Sequence, residues 1–467
     1  MSWTREEILL ATSGKILSEG KERVFGDIVT DSRSVRRGSV FVALKGERLD
    51  GHDFISDAVR RGAACVVLHK RPEGSSLEGA TVIKVRDTLE ALGDLAHHRR
   101  RQVAPKVLAI TGSNGKTTTK EMVAAILERT SIGGDLLRGK VLKSEGNYNN
   151  LIGLPLTLLR LRGPEKAAVL ELGTSRPGEI GRLTEIADPD MGLVTSVAPA
   201  HLSGLGTLEG VVREKGELFA RMNPRGTAVV NVDDPWVRRL GQKFKGAKIT
   251  YGRNGEVRAE SCKALGEKGM EFTLRAGRAR GRIRLKLLGE HNLSNALGAA
   301  AMAYGFGADL DSVRKGLESV KPYPMRTEVG KWKGIGIIND AYNANPASME
   351  ATLKTLAAVG GKGERVAILG DMLELGRESR KKHFELGKKI ARLGIDRLYL
   401  LGPEAVHVKE GALLGGMDNK RVIVGENHRE IARMLREQVR KDDWLLFKGS
   451  RGMKVEKVLE AFKEIGE

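Results

Sequence analysis

The sequence has almost no cysteine. Cys65 and Cys262 are the only two in 467 residues, far apart and without C-x-x-C spacing. That excludes a disulfide framework and a cysteine-rich metal site, and makes both small buried apolar residues. Aromatic residues make up 4% of the chain, too few for the stacking platforms that single-stranded nucleic acid requires. No apolar run approaches the ~18 residues of a membrane span. The start, MSWTREEILLATSGK, lacks the apolar core of a signal peptide. A cytoplasmic location follows as the default. There is no G-x-S-x-G elbow and no reactive-cysteine signature, which argues against nucleophilic catalysis.

Negative charge is also in deficit. Asp and Glu number 59 against 79 Lys and Arg, giving +20. Such an excess attracts nucleic acid or any polyanionic ligand. The basic residues are spread along the chain, however, with only short clusters such as His98–Arg101 and Arg380–Lys382. A nucleotide-linked, multiply anionic small substrate accounts for the charge at least as well, and no nucleic-acid partner is expected.

What the chain does have is alternation of strand and helix signals. Its length predicts two to four domains with ample core. Residues 1–103 form a first, smaller α/β unit, with strands over Val24–Val29, Ser39–Leu44 and Ala64–Leu68 and a helix over Phe54–Gly62. The basic stretch His97–Pro105 closes it. Residues 104–321 form a second unit, where strands Ala167–Leu172, Gly192–Val197 and Thr227–Val232 alternate with helices. This predicts a mostly parallel sheet covered on both faces. Ile249–Leu288 reads as short antiparallel edge strands, and Leu293–Phe306 as an alanine-rich helix. The proline-stiffened linker Lys321–Pro324 leads into residues 322–467. There four buried strands, Arg365–Leu369, Arg397–Leu401, Arg421–Val424 and Trp444–Phe447, predict a Rossmann-like doubly wound domain without a dinucleotide fingerprint.

The most informative stretch is VLAITGSNGKTTTKEMVAAIL, Val107 to Leu127. An apolar strand feeds a glycine turn that opens onto a helix, the arrangement that cradles a nucleotide triphosphate. Thr111, Gly112, Ser113, Asn114, Gly115, Lys116, Thr117 and Thr118 form the loop. Its glycines let backbone N–H groups approach phosphate oxygens, Lys116 reaches the outer phosphates, and Thr117 offers a hydroxyl to Mg²⁺. Ile110 stands where the first glycine of G-x-x-x-x-G-K-[ST] belongs, so the pattern is incomplete.

Five polar clusters follow, several at strand ends, where open α/β sheets place their sites. Glu171 ends an apolar strand and can hold Mg²⁺ or simply face solvent. His201 is a metal ligand, a general base or a structural histidine. Lys215 lies in REKGELF, which by itself is an ordinary charged helix face. His291 and Asn292 cap a helix or hold a base. Asn339–Pro346 closes a strand and starts a helix at Pro346, and its amides beside Asp340 and Tyr342 make a hydrogen-bonding wall.

In this order the motifs resemble the Mur ligase family of peptidoglycan synthesis over essentially the whole chain. The resemblance rests on Thr30-Asp31-Ser32-Arg33, TGSNGKTTTK, EGNYNNLIGLP (Glu145–Pro155), ELGTSRPGEI (Glu171–Ile180), AHLSGLGTLEGVVREKGEL (Ala200–Leu218) and GEHNLSNA (Gly289–Ala296). Arg326, NDAYNANPASM (Asn339–Met349), LGDMLELG (Leu369–Gly376) and KGSRGMKVE (Lys448–Glu456) complete it. The last three are most similar to the branch that adds D-alanyl-D-alanine to UDP-N-acetylmuramoyl-tripeptide. The family loop itself lacks the first glycine, which accounts for Ile110. Met325, before Arg326, departs from the glycine of many relatives.

The resemblance implies three domains, with ATP bound on a central P-loop sheet and an amide ligase acting through an acyl phosphate. It implies Lys116 on the β,γ-phosphates, Thr117 and Glu171 on a first Mg²⁺, and His201 on a second. Lys215 corresponds to a lysine carbamylated in several members and then metal-binding. His291 and Asn292 would meet adenine; Arg326 and Asp340 would reach the phosphates and ribose. Asp31, Ser32 and Arg33 would take the uridine-nucleotide end, Asn147, Asn149 and Asn150 the peptide or sugar, and Tyr342, Asn343 and Asn345 the dipeptide. A monomer that closes about Lys321–Pro324 is expected. A sister ligase adding a single amino acid, or a nucleic-acid-dependent ATPase, are the alternatives.

Overall fold

The computed structural model describes residues 2–71, 77–359 and 361–465. Three α/β layers follow one another along the chain. In the first, five strands run in the order Lys15–Ser18, Thr81–Lys84, Cys65–Leu68, Val40–Val42, Ile28–Val29. All neighbours are parallel except the edge strand Lys15–Ser18. Cys65–Leu68 is buried at every position, as an uninterrupted CVVL run requires in a sheet covered on both faces, whereas Cys262, expected to be buried too, is exposed on the strand Val257–Ala264. The strand expected over Val24–Val29 is broken in two. Val24–Phe25 pairs with Trp3–Thr4 in a separate ribbon, while Ile28–Val29 joins the sheet. The Gly26 N–H turns aside to Gly38 O, 2.7 Å away.

The basic stretch His97–Pro105 is not a loose boundary. Asp87 caps a helix spanning Thr88–Val103, accepting from the Leu89 and Glu90 N–H groups, and the helix ends at left-handed Ala104. Arg100 is 8% exposed and reaches the second layer, donating to Ala187 O and Asp188 O and pairing with Asp190 at 3.1 Å. Leu92, Leu95 and Ala96 bury the opposite stripe. The charges there are structural pegs between layers.

The central sheet has nine strands. They run Val141–Lys143, Ala167–Glu171, Lys106–Thr111, Met191–Val194, Thr227–Asn231, Ala247–Tyr251, Val257–Ala264, Met270–Ala276, Ala279–Leu285. The first seven are parallel; the last three form an antiparallel meander. In that meander Met270, Phe272, Leu274 and Ala276 face inward, and the edge strand points Arg280, Arg282 and Arg284 to solvent. The strand before the glycine loop sits between Ala167–Glu171 and Met191–Val194. Register places Glu171 opposite Ile110 and Val194 opposite Thr111, so the carboxylate and the loop leave the sheet side by side.

The third layer has six strands rather than the four expected: Glu328–Trp332, Ile335–Asn339, Trp444–Lys448, Arg365–Gly370, Arg397–Leu401, Val422–Gly425. The two additional strands are a hairpin turning at Lys333 and Gly334, both at positive φ. Asn345 caps the helix Pro346–Ala358 through a capping box with Ser348, with proline at its start as the sequence predicted. No described helix is long and apolar enough to cross a membrane.

Candidate active site

A cavity of about 670 Å³ opens where the second and third layers meet at the carboxyl ends of their strands. From the central layer it is lined by Ser113, Asn114, Gly115, Lys116, Thr118, Asn147, Asn149, Asn150, Glu171, His201, His291 and Asn292. From the third layer come Arg326, Asp340, Tyr342, Asn343 and Asn345. Thr111, Gly112 and Thr117 lie in the floor of the loop, and Lys215 is buried behind it at 2% exposure. Asp31, Ser32 and Arg33 lie outside the cavity, on the first layer. There Asp31 caps a short turn and takes a bidentate bond from Arg33, which drops its carboxyl to about 2.

The glycine loop is held by contacts that admit no side chain. A Cβ on Gly112 would sit 2.0 Å from Thr195 Oγ1, and one on Gly115 2.2 Å from Asn295 Oδ1. Both residues have positive φ. Ser113 N donates to Ser196 O, and Thr195 Oγ1 donates to Asn114 O. The helix Lys116–Leu127 begins at Gly115 with no side-chain cap, so its first N–H groups are left for an anion. Lys116 Nζ donates to Gly112 O at 2.8 Å, folded over the place a phosphate would take. Gly115→Ala is expected to lower ATP affinity at least tenfold, because a Cβ is strained at φ +82 and displaces the Asn295 amide beside the loop. Titration with a fluorescent ATP analogue checks this.

Glu171 is positioned from three sides. Thr117 Oγ1 donates to Oε2 at 2.8 Å, Asn149 Nδ2 to Oε1 at 2.9 Å, and its own N–H to Ser144 Oγ. His201, at φ +53, stands with Nδ1 2.5 Å from Glu374 Oε2. Burial lowers the His201 pKa against the opposing pull of Glu374; Lys116 and Lys215 add to the lowering. Burial likewise depresses Lys116, and pushes Lys215 well below a normal lysine with Lys116 reinforcing it. Glu214, beside Lys215, is spent on the Gly178 and Ile180 N–H groups.

Across the cavity, Asp340 accepts from Lys448 Nζ at 2.5 Å, Thr352 Oγ1 at 2.7 Å and Thr327 N at 2.8 Å. Burial opposes its charge, but Lys448 wins and its pKa stays below the usual value. The Arg326 guanidinium stacks 4.0 Å from the Tyr342 ring centroid. Asn114 and Asn345 exchange amide hydrogen bonds across the layers, at 2.7 and 3.3 Å. His291 Nδ1 and Arg326 Nε are buried and have no hydrogen-bond partner among the described residues.

These features fit a nucleotide triphosphate. Uncapped helix N–H groups, four cations (Lys116, Arg326, Lys448, Arg451) and orphaned ring and guanidinium nitrogens all face one space. One carboxylate and one hydroxyl beside a phosphate site also suit Mg²⁺, which takes few protein oxygens and completes its shell with phosphate and water. Inspection of the sequence missed Glu374, Lys448, Ser450 and Arg451 as lining residues. Their motifs, LGDMLELG and KGSRGMKVE, were legible, but no local chemistry marked these positions.

The middle of the chain, 110–303, matches the model of the Mur ligase middle domain. Residues 325–451 match the Mur ligase glutamate ligase domain, and 26–100 the Mur ligase family catalytic domain. The UDP-N-acetylmuramoyl-tripeptide–D-alanyl-D-alanine ligase of Escherichia coli (strain K12) is 36% identical, covering 96% of each chain. That of Bacillus subtilis (strain 168) is 35% identical over 94% of this chain and 93% of its own. Among solved structures, MurF from Acinetobacter baumannii superposes with a TM-score of 0.90 at 32% identity, covering 99% of both chains. MurF from Thermotoga maritima in complex with ADP gives 0.82 at 31%, covering 94% of this chain and 97% of that one. With its glycine loop, its two-layer cavity and its relatives all aligned from end to end, the chain belongs to the Mur ligase family.

Proposed function

We propose that the protein joins D-alanyl-D-alanine to UDP-N-acetylmuramoyl-tripeptide at the expense of ATP, giving the UDP-linked pentapeptide precursor of peptidoglycan. The observation that carries this is one cavity in which a phosphate loop, Glu171, His201 and Lys448–Asp340 face an amide-lined wall. The match to D-alanyl-D-alanine ligases over nearly the whole chain supports the same substrates.

A carboxylate is a poor acyl donor because oxide is a poor leaving group. In the first step a tripeptide carboxylate oxygen attacks the γ-phosphorus and the bond to ADP breaks. In the second the dipeptide amine attacks the acyl carbon, loses a proton, and phosphate departs with the C–O bond. Both steps concentrate negative charge, so fixed cations and donors contribute more than any nucleophile. Lys116 and the loop N–H groups would stabilise the transferring phosphate, and Arg326 would reach it from the third layer. Thr117 and Glu171 would hold one Mg²⁺ and His201 a second; these ions supply charge neutralisation. His291 and Asn292 would take adenine, and Asp340 the ribose. Tyr342, Asn343 and Asn345 would hold the dipeptide, Asn147, Asn149 and Asn150 the muramoyl peptide, and Asp31, Ser32 and Arg33 the uridine end.

The domains divide, on this reading, at 103/104 and 321/322, with closure about Lys321–Pro324. The enzyme works as a monomer in the cytoplasm, where its nucleotide substrates are made. Lys215 is carbamylated in the working enzyme. Its lowered pKa favours the neutral amine that CO₂ attack requires, and the product anion relieves the repulsion from Lys116. Stripping CO₂ is expected to lower the rate, bicarbonate to restore it, and acetate to rescue Lys215→Ala in part. A CO₂-independent rate would remove the carbamate from the reading.

The direct test is phosphate release from ATP and Mg²⁺ with UDP-N-acetylmuramoyl-tripeptide. Release should require D-alanyl-D-alanine and yield the pentapeptide. Release driven by a single amino acid on a shorter precursor would assign a sister ligase instead.

A further inference from the structure

His201 and Glu374 are 173 residues apart and come from different layers, yet they make the shortest contact across the cavity mouth. Both are non-glycine residues in the left-handed region, at φ +53 and +65. Such backbone persists only where the surroundings over-determine it, and it clusters at working sites. A backbone bond doubles the contact, from Ser203 N to Glu374 O at 3.0 Å. The Glu374 segment is itself braced from behind. Met372 N donates to the ring of buried His383 at 3.0 Å, and Leu373 N to Ser450 Oγ at 2.8 Å.

The Glu374 side chain is 53% exposed. An ion pair that wet adds little to stability, so the strain and bracing call for another role. A carboxylate at Nδ1 requires that Nδ1 carry the ring proton. The Nε2 lone pair is then left free, the state a metal-binding histidine needs, and outer carboxylates elsewhere fix ligating imidazoles in this way. Here the carboxylate belongs to the opposite layer.

We infer that Glu374 is a positioning residue: it clasps the third layer onto the central one and in doing so locks His201 as the Nδ1–H tautomer, so that its ligating nitrogen is presented only when the layers are together. This rests on the ligase reading for the identity of the metal, Mg²⁺, but the clasp itself is read from the contact. In the open arrangement the ring reverts to the Nε2–H form that imidazole favours in water, and the second metal position is incomplete. Closure and completion of the site are thereby one event.

The test uses the full chain with ¹⁵N-labelled histidine, a non-hydrolysable ATP analogue to bring the layers together and no Mg²⁺, with His201→Gln to assign the signal. The wild type should show His201 as neutral Nδ1–H. Glu374→Ala should move it toward Nε2–H, and Glu374→Asp, one methylene too short, should do the same. Glu374→Gln, whose amide oxygen can still accept, should retain the wild-type tautomer. The half-saturating Mg²⁺ concentration should rise ~10–100-fold in the alanine variant, with much less change in the glutamine variant and KM for ATP within about twofold at saturating Mg²⁺. A His201 tautomer unchanged by Glu374→Ala would overturn the inference, and so would a changed tautomer with an unchanged Mg²⁺ requirement. Loss of dipeptide-dependent phosphate release in the wild type would instead remove the ligase reading, while the ring measurement, made without tripeptide or dipeptide, still judges the clasp.

Discussion

Lys116→Ala is expected to cut the ligation rate ~10³-fold or more, about 4 kcal/mol of transition-state stabilisation, and to leave the melting temperature equal or higher. The two halves of this expectation have one cause. In the substrate-free protein Lys116 is half-buried, its ammonium bonded to Gly112 O and pushed toward neutrality by desolvation. Such a group costs stability until a phosphate arrives. The sign of the pH dependence follows. The unfolded chain keeps the lysine proton up to ~10.4, while the folded chain releases it earlier, so across that interval the unfolded state binds more protons. The contribution of Lys116, and of Lys215 without a carbamate, therefore makes the folded state more stable as pH rises toward 10. Calorimetry with and without an ATP analogue, alongside the phosphate assay, separates the effects. Full activity in the alanine variant would sink the phosphate-loop assignment.

Asp340→Ala should behave in the opposite way, losing about 3–5 kcal/mol from the stability of the third layer. Lys448 is buried and Asp340 largely so, and the lysine is left as an uncompensated cation when the carboxylate goes. Thr327 N also loses its acceptor. Asp340→Ala combined with Lys448→Met should recover part of the loss, since the buried charge is gone but the Thr327 N–H stays orphaned. The folded Asp340 pKa lies below the ordinary carboxylate value. Its stabilisation is thus present above pH ~4 and disappears as pH falls through the lower, folded value. Urea melts at pH 7 and near pH 3 check this. A difference between wild type and variant that did not shrink in acid would count against the pair as its source.

Sequence alone carried the parts of this molecule whose chemistry is local. The glycine loop was legible because Gly112, Gly115, Lys116 and Thr117 act within a few residues of one another, and Asn345-Pro346 because a cap and its helix are contiguous. A strand ending at Asn339 was anticipated, but its hairpin partner was missed: Glu328–Trp332 is an edge strand with mixed burial and a central glycine, so no alternation announces it. The helix through Val103 was read as a boundary because its arginines look solvated, whereas Arg100 is tied to carbonyls some 90 residues away. From its own segment Lys215 could not be told from a surface lysine; the family resemblance alone singled it out, and the packed elements bury it. Glu374 is the clearest case. Its motif was visible, yet its meaning depends on a histidine 173 residues earlier, a relation that no spacing rule encodes.

The central sheet does not close on itself: its last strand, Ala279–Leu285, pairs with a strand on one side only, and the Arg284 N–H donates instead to Glu318 of a neighbouring helix. A bare edge of that length is a template for another copy of the same sheet. Every second residue from Arg280 to Arg284 is an outward arginine, and two approaching copies would bring like charges face to face. Part of the +20 is thereby explained without any polyanionic partner. Glu260 and Glu271 on the two preceding strands pair with these three arginines, so two acids face three bases and the edge keeps a net positive rim that disfavours a second copy.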